Sequence, residues 1–144
     1  MKNTISIGNA GEYLVAAELE RRGFSVAVPM SNVEMFDILA LNRVTRKQIA
    51  IQVKTNSSSS PVWLLKRKCE EIIDPNIFYI FVNMNELGFP TYHIVPSQVV
   101  AKQIADNHTN WLNDKTKPNR KDGTLRKFFD LDNTYLNKWD ILNQ

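Results

Sequence analysis

Apolar positions recur along residues 36–41 and 48–55, separated by the polar stretch 42–47. Two such runs around a polar turn predict a β-hairpin. Side chains alternate across a strand, so one face carries Phe36, Ile38, Ala40, Ile49, Ile51 and Val53, all apolar. The other carries Asp37, Leu39 and Leu41 from the first strand and Ala50, Gln52 and Lys54 from the second. A turn centred near Val44 and Thr45 sets Asp37 opposite Gln52, with Lys54 next on the same face. A hairpin this apolar is expected to be covered on both sides. There an Asp and a Lys are costly unless they pair with each other or hold a metal.

The hairpin's neighbours follow from the same pattern. Residues 5–22 read as a helix with Thr4 or Ser6 as N-cap and Gly23 as its stop. A period of 3.6 puts Glu12 on one stripe with Val15, Ala16 and Leu19, and Gly8 one turn earlier, where a missing side chain permits close backbone approach. A carboxylate there is either a functional group needing a partner or an acid favoured by the helix N-terminus. Residues 24–29 predict a strand, and residues 30–34 a loop in which Glu34 is either a further acidic ligand or a solvated residue. Beyond the Ser57–Ser60 run, residues 63–73 read as largely helical. Residues 77–82, the most apolar segment, read as a central strand, with residues 91–95 pairing back on it after a turn. Ser97 is the expected N-cap of a helix over 98–106, residues 107–123 an extended loop, and Asp132 or Asn133 the cap of a terminal helix through Leu142. In that last helix Leu136, Trp139 and Leu142 face the body. His93 and His108 have no His or Cys at metal-ligand spacing and read as structural.

Composition narrows the classes. The 144 residues suit one domain over 1–144 with a substantial core. A net charge of +3 permits a polyanionic partner without demanding one. The positive charge is concentrated: Lys115, Lys117, Arg120, Lys121, Arg126 and Lys127 are opposed in their stretch only by Asp122. Lys66, Arg67 and Lys68 form a second basic group, either phosphate contacts or a solvated face. Trp111, beside the larger cluster, is either a base-stacking aromatic or a loop anchor. One cysteine, Cys69, excludes an internal disulfide and suits a reducing cytosol. No stretch has transmembrane length and the first residues lack the apolar core of a signal peptide, so a cytoplasmic protein with no membrane partner is expected. There is no Gly-rich phosphate loop, no Cys/His metal cluster and no Ser beside a plausible His base.

Asp37, a short β-turn and Gln52-x-Lys54 resemble the PD-(D/E)XK nuclease superfamily, which has Asp on one strand and Glu-x-Lys or Gln-x-Lys on the next. Small resolvase-like members also carry Gly-x-x-x-Glu on the first helix, here Gly8-Asn9-Ala10-Gly11-Glu12. Phe36 stands where the motif's Pro would, and Gln52 replaces the commoner acid. The resemblance implies an α/β domain with a restriction-endonuclease-like central mixed sheet flanked by helices. It implies hydrolysis of DNA phosphodiesters with Mg²⁺ or Mn²⁺ held by Glu12, Asp37, the amide oxygen of Gln52 and the carbonyl of Val53, and Lys54 acting on the water or the transition state. Lys66, Arg67, Lys68, Arg120, Lys121, Arg126 and Lys127 are the candidate DNA contacts, and a homodimer is implied because resolvase-like members act as dimers on branched DNA. Two other readings keep the scaffold alone: a non-cleaving DNA-binding module, and a protein-interaction or immunity-type module with a protein partner.

Overall fold

A computed structural model describes residues 3–30 and 36–144. Helix α1 (Thr4–Arg21) leads into strands β1 (Phe24–Ala27), β2 (Ile38–Asn42), β3 (Gln48–Asn56) and β4 (Val62–Lys66), followed by a 3-10 helix (Arg67–Glu71). Then come β5 (Ile77–Asn83), β6 (Thr91–Pro96), α2 (Ser97–Leu112), β7 (Leu125–Phe129) and a closing 3-10 helix (Trp139–Asn143). Five strands form a mixed sheet in the order β1-β2-β3-β5-β6, with β3 and β5 parallel, while β4 and β7 pair as a separate antiparallel ribbon. The fold is α/β, a central mixed sheet flanked by helices.

The hairpin β2–β3 has the register the pattern predicts. Ile38 pairs with Ile51 and Ala40 with Ile49, so Asp37 stands across from Gln52. Asn42 fixes the turn: its Oδ1 accepts from the N–H groups of Val44 and Thr45, and Arg46 takes the left-handed conformation at φ 64°. Ile38, Ala40, Ile49, Ile51 and Val53 are buried with Val15 and Leu19 of α1. The opposite face differs from expectation. There α2 and the β4–β7 ribbon pack on Tyr79 and Phe81 of β5, while Leu39 of β2 remains 43% exposed. The polar trio thus sits where that face stays partly open.

Several elements depart from the sequence reading. Asn3, not Thr4 or Ser6, caps α1, its Oδ1 accepting from Ile5 and Ser6 N–H. β1 stops at Ala27 and leaves Val28 exposed. Residues 62–66 are a strand rather than a helix, because burial alternates there: Trp63 and Leu65 point inward, Leu64 and Lys66 outward. Ser97 does not cap α2; its hydroxyl donates to the Asp74 carbonyl at 2.6 Å and accepts from Asp74 N–H. That helix runs on to Leu112, which places His108 and Trp111 on it rather than in a loop. The basic stretch contains β7, and the terminal helix is only the 3-10 turn from Trp139, although Trp139 and Leu142 are buried. β3 lies in the middle of the sheet, with the wholly buried β5 beside it. Among the described residues no helix is long and apolar enough to cross a membrane.

Candidate active site

β2 begins only at Ile38, so among the described residues the last part of β3 has no strand partner on that side. Asp37 takes that place: its Oδ2 accepts the Val53 N–H at 2.8 Å, while its own N–H donates to the Ile51 carbonyl at 2.8 Å. In an extended strand the carbonyl points to the same neighbour as the N–H, so the Val53 carbonyl is directed toward Asp37 as well. Gln52 and Lys54 are in register with Tyr79 and Phe81, on the sheet face that α2 and the ribbon only partly cover. Asp37 and Lys54 feel each other's charge without a contact ion pair among the described residues. A simple Asp–Lys pair therefore does not account for the two groups.

α1 lies across the far end of β3, on the opposite face of the sheet. Its buried stripe is Gly11, Val15 and Leu19, with half-buried Glu12 at the margin. The close approach expected of Gly8 belongs instead to Gly11. A Cβ at Gly8 would meet nothing within 4 Å, whereas one at Gly11 would overlap the Thr55 hydroxyl and lie 2.9 Å from Thr55 Cβ. Helix and strand touch backbone to side chain there, and Glu12 comes within electrostatic reach of Asp37 and Lys54. Gly11 and Thr55 are the site's supporting pair that motif reasoning misses. A glycine inside a helix, which costs about 1 kcal/mol relative to alanine, is the local signal that could have found it.

Burial dominates the electrostatics of both carboxyls. Burial raises the Glu12 carboxyl above its ordinary range, the Asp37 charge raises it further, and Lys54 opposes both. Burial raises Asp37 too, against the Val53 N–H bond and Lys54. Among the described residues Gln52 Oε1 is buried without a hydrogen-bond partner, an expensive state for an amide oxygen. Two carboxyls raised by burial, a buried amide oxygen without a partner among the described residues and a strand carbonyl are hard oxygen donors of the kind Mg²⁺ takes, so the residues fit a divalent cation. Among the described residues no three His, Cys, Asp or Glu gather into a metal-ligand group. The donor set is two acids plus neutral oxygens; Glu34 lies outside the described residues.

The candidate DNA contacts separate into two kinds. Lys66, Arg67, Lys68, Lys121 and Lys127 are exposed. Arg126 is not: its side chain is 3% exposed, its Nε donates to Glu70 Oε1 at 2.5 Å, and its Nη1 donates to the Gly123 and Leu125 carbonyls. It points into the core because it follows Leu125 on β7, where alternate residues face inward. Arg120 is also occupied, lying 4.6 Å over the Trp111 ring and donating to the Trp111 carbonyl. Trp111 therefore does anchor the 113–123 segment. His93 is buried against Asp130 at 2.6 Å, a structural pairing.

No family model and no curated protein sequence matches the chain. In three dimensions it is similar to I-Ssp6803I, a bacterial homing endonuclease, with a TM-score of 0.59 and 16% identity over 99% of this chain and 94% of that one. It is also similar to Hjc, a Holliday junction resolvase from the archaeal hyperthermophile Archaeoglobus fulgidus. There the TM-score is 0.53 and the identity 15%, over 85% of this chain and 84% of that one. The sheet order, the flanking helices and these two likenesses show that the chain has the fold of these two proteins, a restriction-endonuclease-like central mixed sheet flanked by helices.

Proposed function

We propose that the protein is a metal-dependent endonuclease that hydrolyses phosphodiester bonds in DNA. The observation that carries this reading is the buried Gln52 Oε1, without a hydrogen-bond partner among the described residues, on the strand facing Asp37, whose carboxyl, like that of Glu12, is raised by burial. Glu12, Asp37, Gln52 Oε1 and the Val53 carbonyl would hold Mg²⁺ or Mn²⁺. A bound cation of this kind polarises a phosphate oxygen and lowers the pKa of a water. Asp37 is oriented for its task by the Val53 N–H. Lys54, one residue beyond on the same strand, presents an ammonium to the charge that develops on the phosphate or orients the attacking water. The exposed cations Lys66, Arg67, Lys68, Lys121 and Lys127 are the phosphate contacts in this reading. Arg126 and Arg120 are structural.

Nuclease neighbours at this level of identity supply the fold, and the donor set supplies the chemistry. The test pairs Mg²⁺ titration by calorimetry with cleavage assays on linear, nicked, single-stranded and branched DNA. Wild type is expected to bind the metal and cut at least one form. Lys54→Ala should keep metal binding and lose about 10²–10³-fold in turnover, the usual effect of removing one transition-state donor. Wild-type protein that binds no divalent metal and cuts no form sinks the enzyme. DNA binding without cleavage then points to a binding module, and capture of a defined protein partner to an interaction module.

A further inference from the structure

A concave site that none of the proposed metal donors line lies between β7 and the last turns of α2. It encloses about 420 Å³, within the range of small-molecule sites and far too small for a duplex. Its wall is Trp111 and His108, whose rings lie 20° from parallel with centroids 5.7 Å apart. Its floor includes Leu125 and Phe129, and Lys121 and Lys127 stand at its rim. Arg120 covers Trp111 yet is not part of the groove's lining, and Trp111 keeps 44% of its surface exposed.

The charge around the groove is one-sided. Among the described residues Lys121 and Lys127 have no ion-pair partner. The nearby acid Asp122 is engaged by His108 at 2.7 Å and by Arg126 at 3.8 Å. An aromatic wall, an apolar floor and a cationic rim match a planar, π-faced group attached to an anion. Bases inside a duplex are stacked on one another and present no face to such a wall, whereas an unpaired base does. We propose that this groove binds one unpaired nucleotide of a DNA substrate, its base against Trp111 and His108 and its phosphates at Lys121 and Lys127. The assignment of the polymer as DNA rests on the nuclease reading above. It narrows the substrate class to DNA carrying a single-stranded segment, such as a flap, a gap or an opened branch.

The measurement is tryptophan fluorescence of the full chain, in chelator, titrated with a short oligothymidylate. Trp63 and Trp139 are only 1% and 6% exposed, so quenching by a stacked base reports Trp111. The wild type is expected to be quenched by single strands and far less by a blunt duplex. Trp111→Ala should lose the quenching and bind about tenfold more weakly. Because Arg120 leans on Trp111, a second variant leaves the wall intact. Lys121→Ala combined with Lys127→Ala should keep the quenching at saturation and lower the single-strand salt slope by about 1.4, two contacts' worth. Unchanged fluorescence with any oligonucleotide overturns the proposal, as does equal quenching by duplex, an undiminished affinity in Trp111→Ala, or an unchanged salt slope in the double variant. Cleavage does not enter this readout. Quenching without cleavage of any DNA form sinks the nuclease and leaves the groove standing; cleavage without quenching does the reverse.

Discussion

Asp37 accepts a backbone N–H at 2.8 Å and has a lysine charge nearby, yet burial wins and raises its carboxyl above the ordinary range. Glu12 is raised as well, chiefly by burial and then by Asp37. A carboxyl raised by the fold favours the folded state when protonated. Its contribution is fully present below the unfolded value and is lost as pH rises through the folded one. The metal-free protein should therefore carry a penalty at neutral pH that disappears on acidification. Asp37→Asn keeps an acceptor for Val53 N–H and removes the charge, so in chelator it should be more stable than wild type at pH 7. Urea unfolding across pH tests this: the difference should shrink as pH falls through the raised value. A gap that stays constant with pH would remove the electrostatic cause. That Asp37 meets Gln52 was legible in the sequence because a period of two and a central turn fix the register. That Gln52 Oε1 has no partner among the described residues was not legible, since it depends on what packs around β3 from elsewhere in the chain.

Between elements, the informative contact is α1 on β3. Gly8 and Gly11 stand three positions apart, and the helical stripe alone does not say which of them meets the strand. The structure decides it through Thr55. Gly8→Ala adds a methyl to open space and should gain about 1 kcal/mol from helix propensity. Gly11→Ala should instead lose about 1–3 kcal/mol by overpacking, and it should weaken Mg²⁺ binding because it tilts Glu12 away from Asp37. Thr55→Gly in the Gly11→Ala background opens the space again and should restore part of the metal affinity, which a merely destabilised helix would not do. Chemical denaturation and calorimetry on the four proteins check all of this. The ribbon shows why other elements were hidden. Trp63-Leu64-Leu65-Lys66 is apolar and then basic, a composition as good for a helix as for a strand. Its strand partner, which pairs Leu65 with Arg126, lies sixty residues further along the chain.

Across the whole molecule, one sheet separates two cores, and the charge of the larger basic cluster is divided by the pleat of β7. Arg126 and Lys127 are adjacent in sequence and opposite in direction. Arg126 is buried and bound to Glu70, while Lys127 is exposed across from Leu64. The sequence shows only a basic run there, because inward and outward positions appear once β7 is recognised as a strand. Breaking a buried ion pair from one side leaves the partner uncompensated and costs about 3 kcal/mol or more. Exposed changes usually stay within about 0.5 kcal/mol. Arg126→Ala should therefore be strongly destabilised, and Lys127→Ala should unfold like wild type. DNA binding should show the reverse. The slope of log affinity against log salt for a duplex should fall by about 0.9 in Lys127→Ala. It should not change in Arg126→Leu, measured at a temperature where that variant remains folded. The leucine fills the space without a charge and separates loss of packing from loss of a phosphate contact. A salt slope that drops in Arg126→Leu and holds in Lys127→Ala would mean that β7 presents its other face to DNA, and with it would go the assignment of the outer ribbon face as the phosphate-tracking surface.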